Sequence, residues 1–283
     1  MTAVVLAGSS ALLFGAMTVA LRMALQEGVA PEAGTLFTVG TALVVILVYT
    51  GARAEWGLGA AWPFMLTGLL APGCSQILFT FAIRDAGASR ASMTVGTAPI
   101  IAVAIALVFL GEPLVAGHAV GAVLVVAGGV LLLRERERPS HVRTTGLVFA
   151  LLATVAFATR DSLIRWLGTK ATDVPPGTAA LATMLSASVV VLGFAIARRA
   201  PIRVNELPRF VPAGLCNGAS YVCLFEAYYR GRVSVVSPLV ATETLWAVAL
   251  SVLVLHRTEL VGRRLILGAV LVVTGGALIG AFR

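Results

Sequence analysis

In the stretch FATRDSLIRWLG, residues 157–168, an arginine stands directly before an aspartate, Arg160 and Asp161, and a second arginine, Arg165, follows about a turn later. The preceding LVFALLATVA is apolar, so these charges lie inside a hydrophobic run. A guanidinium is a planar fork that can grip both oxygens of a carboxylate. Asp161, and further along Glu226 and Glu243, offer the opposite charge, suited to an ammonium group or a proton. Aromatic and amide side chains accompany them: Gln76 and Phe79 in SQILFTF, Tyr221 and Phe225 in SYVCLFEAYY, and Trp246 three residues after Glu243. A few convergent polar groups among aromatics is the composition of a small-molecule pocket. The competing reading is that the charges only tie helices together.

Bond-making chemistry has no comparable support. The chain has no HExxH, GxxxxGK or CxxC, and His118, His141 and His256 fall at loops or loop edges. Cys74, Cys216 and Cys223 lie in apolar runs without metal-ligand spacing. Neither an enzyme, a metal site nor a cofactor is expected.

The elements that position these residues follow from composition. Of 283 residues, 59% are hydrophobic and 12% charged, against about 25% charged in soluble domains. A soluble fold of this length could not hide that much apolar surface, so the chain reads as an all-α membrane protein. Ten apolar runs suit helical spans: 3–25, 31–50, 62–83, 88–110, 116–134, 145–168, 177–197, 207–229, 233–255 and 262–281. The first lacks a basic n-region and reads as a retained span. Apart from Lys170 the basic residues are all arginines, and the net charge of +8 reads as loop anchoring rather than nucleic-acid binding.

The two halves resemble each other. An offset of 143 lays FGAMTVALR (14–22) on FATRDSLIR (157–165), matching Phe14 to Phe157 and Arg22 to Arg165. An offset of 145 lays Pro63, Gly73, Ser75, Ser89 and Ser92 on Pro208, Gly218, Ser220, Ser234 and Ser237. An offset of 147 aligns Glu112 with Glu259 and Gly121 with Gly268. Residues 1–137 and 138–283 are thus expected to be two five-helix repeats. An odd number of spans inverts the second, an architecture in which transporters bind substrate near the midplane. The basic loops, Arg134 to Arg143 foremost, place both termini on the outer side by the positive-inside rule.

Charges within spans are costly unless paired. At 1.5 Å per residue, Arg160 lies ~12 Å from the end of its helix and Glu243 ~15 Å from the start of its own, while Arg165 and Glu226 each lie ~5 Å in. The expected ion pairs are therefore Arg160–Glu243 and Arg165–Glu226, with Asp161 left over. The candidate substrate-binding residues are Arg160, Asp161, Glu243, Trp246, Tyr221, Phe225, Gln76, Phe79, Glu226 and Met17, the last being the repeat-mate of Arg160. Arg160 would take a carboxylate, and Asp161 or Glu243 an ammonium. Pro72, Pro99, Pro212 and Pro238 are expected to kink their helices. Gly121, Gly128, Gly268 and Gly275 are expected to pack the fifth span against the tenth.

The stretches ASMTVGTAPIIAVAIALVFLGEPL (91–114) and GAVLVVAGGVLL (121–132) resemble the drug/metabolite transporter superfamily of EamA type. They return in weaker form as SPLVATETLWAVALSVLVLHRTEL (237–260) and GAVLVVTGGALI (268–279). The resemblance covers nearly the whole chain and departs at LHRTEL, which lacks the proline of LGEPL. It implies a bacterial-type inner-membrane secondary transporter, closest in flavour to the YddG-like amino-acid exporters. The expected function is export of small amphipathic metabolites, amino acids including aromatic ones, by alternating access. Protons are a candidate coupling ion, with Glu243 to carry them, and facilitated diffusion down an export gradient is the alternative. The lipid bilayer is the only other partner expected, nucleic acid is not, and a monomer is the default. The alternatives are a multidrug or toxic-compound exporter and, further off, a membrane-bound enzyme or scaffold.

Overall fold

The computed structural model describes residues 2–98, 100–101, 116–133, 143–231, 233–255 and 262–281. Among them the secondary structure is helical, with no strand. The helices are α1 (Thr2–Gln26), α2 (Pro31–Ala52), α3 (Trp62–Gly68), α4 (Ser75–Ala86), α5 (Ala88–Val95), α6 (Ala116–Leu133), α7 (Thr144–Trp166), α8 (Pro176–Ala197), α9 (Leu207–Arg230), α10 (Val233–Ala241), α11 (Glu243–Val254) and α12 (Arg263–Ala281). Each expected span begins within one residue of a helix start. The LGEPL motif at 110–114, Pro99, His141, His256, Glu259 and the charged connection 134–142 lie outside the described residues.

Proline in the first turn opens α2, α3, α8 and α9, where its missing N–H costs nothing. Among the described residues five stretches are long and apolar enough to cross a bilayer: Thr2–Gln26, Pro31–Ala52, Leu58–Ala86, Thr144–Thr169 and Pro176–Ala197. Their outward faces carry large aliphatics such as Val5, Val48, Leu151, Val189 and Ile196, all exposed. In water such a surface would drive association; in lipid it is the solvated face. Threonine hydroxyls inside the spans bond to the carbonyl four residues back, as Thr18 does to Phe14 and Thr80 to Gln76, so they need no water.

The prolines act unequally. The third span breaks at Leu69–Cys74, where Ala71, just before Pro72, is extended (φ −146°, ψ 120°), as the residue preceding proline prefers. Pro212 instead lies within a continuous α9. In the fourth and ninth spans the breaks fall at threonines. Thr97 bonds its hydroxyl to the carbonyl of Thr94, and Thr242 to that of Leu239, both at 2.6 Å. These are equivalent positions under the 145-residue offset.

The packing follows an exchange pattern. α1 packs on α9 while α4 packs on α7; α2 packs on α9 while α3 packs on α8; α1 packs on α10 and α11 while α7 packs on α5. In each case one contact is the other with the halves swapped. α6 and α12 pack on each other, and glycine makes this possible. A Cβ on Gly275 would stand 2.5 Å from the carbonyl oxygen of Gly121, and one on Gly128 2.7 Å from that of Gly268.

A further swapped pair closes the helix ends. Arg22 Nη1 donates to the carbonyls of Ile83 (3.1 Å) and Arg84 (2.8 Å) at the end of α4. Arg165 Nη1 donates to the carbonyl of Tyr228 (2.8 Å) at the end of α9. Arg22 and Arg165 are equivalent under the offset of 143, and Ile83 and Tyr228 under that of 145. Cations belong at helix C-termini, where unpaired carbonyls concentrate negative charge.

Candidate functional site

α1, α4 and α5 from the first half and α7, α10 and α11 from the second enclose a cavity of about 40 Å³. It is lined by Phe14, Met17, Thr18, Gln76, Phe79, Val95, Ala98, Phe157, Arg160, Asp161, Ser237, Val240, Ala241 and Glu243. Positions 14, 17 and 18 on α1 form one helical face, and an offset of 143 turns them into Phe157, Arg160 and Asp161 on α7. An offset of 145 likewise relates Val95 to Val240 and Ala98 to Glu243. The wall is thus near-symmetric in position and one-sided in charge: its ionisable residues all come from the second half.

Arg160 is 2% exposed and forms hydrogen bonds through each of its three guanidinium nitrogens. Its Nε and Nη2 donate to Asp161 Oδ1 at 2.8 and 2.7 Å. Its Nη1 donates to the Tyr221 hydroxyl at 2.5 Å. The guanidinium carbon lies 5.1 Å from the ring centre of Phe157 and 5.1 Å from that of Tyr221, within cation–π range of both. Tyr221 in turn meets Phe14 edge-on at 5.6 Å and stacks on Phe225 at 6.3 Å. Phe79 meets Phe157 edge-on at 5.9 Å. Aromatic rings therefore hold the cation in place.

Glu243 is the first residue of α11, directly after the break at Thr242. It is 9% exposed and has no hydrogen bond or ion pair among the described residues. Gln76, 1% exposed, also lines the cavity, and its Nε2 has no hydrogen-bond partner.

The structure gathers Met17, Gln76, Phe79, Arg160, Asp161 and Glu243 at the cavity, with Tyr221 and Phe225 immediately behind Arg160. Two of the ten candidates lie elsewhere. Glu226 accepts a hydrogen bond from Tyr49 of α2 and pairs with Arg230 one turn on. Trp246 is 43% exposed. α1 approaches so closely that a Cβ on Gly15 would sit 2.7 Å from Trp246 Cβ, which leaves the indole no room inward. The expected ion pairs are also corrected. Arg160 pairs with Asp161, not Glu243, because its long stem swings the guanidinium round to the neighbouring carboxylate. Arg165 bonds the Tyr228 carbonyl, not Glu226, which Arg230 has already taken.

Phe14, Phe157, Thr18, Val95 and Val240 line the cavity without having been picked out. The signal for the first two was in the sequence, since Phe14 and Phe157 coincide in the repeat alignment that singled out Arg22 and Arg165.

No curated protein matches this sequence. A protein of known crystal structure superposes with a TM-score of 0.70 at 20% identity, over 98% of this chain and 95% of its own, a likeness of fold alone. The model of the EamA-like transporter family matches residues 1–134 and 144–281. This multi-pass helical chain, aliphatic on its outer face and charged at its centre, belongs to the EamA-like transporter family.

Proposed function

We propose that this chain is a secondary transporter of the bacterial inner membrane. It exports small amphipathic metabolites, amino acids including aromatic ones first among them, by alternating access to the central cavity. In this reading residues 1–137 and 138–283 are inverted five-helix repeats that rock about the cavity, both termini lie on the outer side, and a single chain suffices. The observation that carries it is the cavity itself: buried charges framed by aromatic rings, at the meeting of both halves and beside two broken helices. Broken helices at the midplane are where transporters place their substrate sites. At about 40 Å³ the cavity is far smaller than the roughly 300–1,000 Å³ that enclose a drug-sized ligand. Substrate entry therefore requires the halves to part.

Arg160 and Asp161 hold each other, which supports a structural share in their role and favours a second reading, a multidrug exporter that relies on the aromatic wall. Counterflow in proteoliposomes against a panel of amino acids and cationic dyes tests both. Saturable counterflow of amino acids is the expected result. Dye movement alone selects the multidrug reading, and no counterflow of any compound removes transport.

A further inference from the structure

The cavity does not present its charges evenly. One edge of the Arg160 guanidinium that could grip a carboxylate, Nε with Nη2, is occupied by Asp161 Oδ1, and Nη1 bonds the Tyr221 hydroxyl. The cation is neutralised by its neighbour. That leaves Glu243, nine-tenths buried and without a partner among the described residues. The other ionisable groups lining the same cavity are Asp161 and Arg160, one acid and one base that already form a pair. The unpaired ionisable group of the cavity is the carboxyl of Glu243, which a cation would hold ionised. A buried unpaired carboxylate is among the costliest groups a protein can carry, and the cost falls when a cation meets it.

Two further observations point to a ligand there. Gln76 Nε2 is a second buried polar group with no partner, on the same cavity wall but from the other half of the chain. It is a donor, matched to a carbonyl, hydroxyl or carboxylate oxygen rather than to Glu243's counter-ion. Phe14, Phe79 and Phe157 also line the wall, and aromatic faces stabilise organic ammonium groups.

We propose that this site recognises its substrate by an amino group held on Glu243, and so takes aromatic or aliphatic primary amines whether or not they carry a carboxylate. This rests on the transporter reading for its physiological meaning, but not for its test. Arg160 with Asp161 then serves to position Tyr221 and close the wall, and Gln76 receives whatever polar oxygen the substrate bears.

The test is binding of three probes to the purified full-length chain in detergent, followed by calorimetry: phenylalanine, phenethylamine and 3-phenylpropionate. Phenethylamine is expected to bind within about threefold of phenylalanine, and 3-phenylpropionate at least tenfold more weakly than either. Glu243→Gln is expected to weaken both amines at least tenfold, with Glu243→Asp recovering part of the loss. Binding of 3-phenylpropionate as tight as phenylalanine, with phenethylamine weak, overturns the proposal. So does undiminished amine binding to a well-folded Glu243→Gln chain. Should that variant not fold, the three probes on the unaltered chain decide alone. Amine binding without counterflow in liposomes would sink the transporter reading and leave this one standing. Phenylalanine counterflow that phenethylamine fails to inhibit would do the reverse.

Discussion

Arg160 is stabilised by a set of contacts that no single neighbour provides: one carboxylate, one phenol and two ring faces. Tyr221→Phe keeps the ring and removes the acceptor of Nη1. Hydrogen bonds to charged groups contribute roughly 1.5–3 kcal/mol, so the variant should melt at a lower temperature in detergent, with ligand binding little changed because the hydroxyl points at Arg160. An unaltered melting temperature, read by intrinsic fluorescence, would show that this bond contributes nothing. At this scale the sequence exposed which residues mattered but not their partners. A rise of 1.5 Å per residue put Arg160 and Glu243 at one depth, and they do share a cavity. Depth says nothing of the direction in which a long side chain turns. Adjacent helical residues point ~100° apart, which argued against Arg160 with Asp161, and the flexible stem of arginine overrode it.

Positions related by the offsets between the two halves repeat the same local chemistry. Arg22 and Arg165 each reach the carbonyl end of a neighbouring helix, α4 and α9. Arg22 meets two carbonyls and Arg165 one, and each such bond carries roughly 1.5–3 kcal/mol. Replacing Arg22 with alanine should therefore destabilise the chain more than replacing Arg165. Hydrogen exchange should also rise near residues 83–86 in the first case and 228–230 in the second. Equal loss, or exchange that stays flat at those ends, would remove the capping role. Helix starts were legible because proline in the first turn and short polar loops punctuate the apolar runs. The helix breaks were less so. Proline marked the third span correctly, since Pro72 forces Ala71 out of helix. In the ninth span the ladder ends at Thr242, whose hydroxyl competes for the carbonyl of Leu239, and a lone threonine in an apolar run is usually only a helix residue bonding backwards.

For the molecule as a whole, the exchange of contacts between halves supports the inverted-repeat proposal. That proposal puts the Arg22 and Arg165 caps at opposite faces of the membrane. It also puts both termini outside. A fluorescent protein that matures only in the cytoplasm, fused after Arg283, should stay dark, and the same protein inserted in the 134–142 connection should glow. A bright C-terminal fusion would reverse the assignment.

Composition alone determined that this chain lives in a membrane, because its apolar surface exceeds what 283 residues can bury. Apolar runs punctuated by proline and short polar loops determined where the helices begin, and the internal likeness suggested which positions correspond. Tertiary structure alone decided which charge remains unpaired. Burial and depth are properties of a position along a helix and can be counted in sequence. Pairing depends on the rotation of one helix against another and on the turn of each side chain, and these are set only when the helices pack. Packing turned Glu226 to Tyr49 and Arg230, pushed Trp246 outward, joined Arg160 to Asp161, and left Glu243 alone facing the cavity.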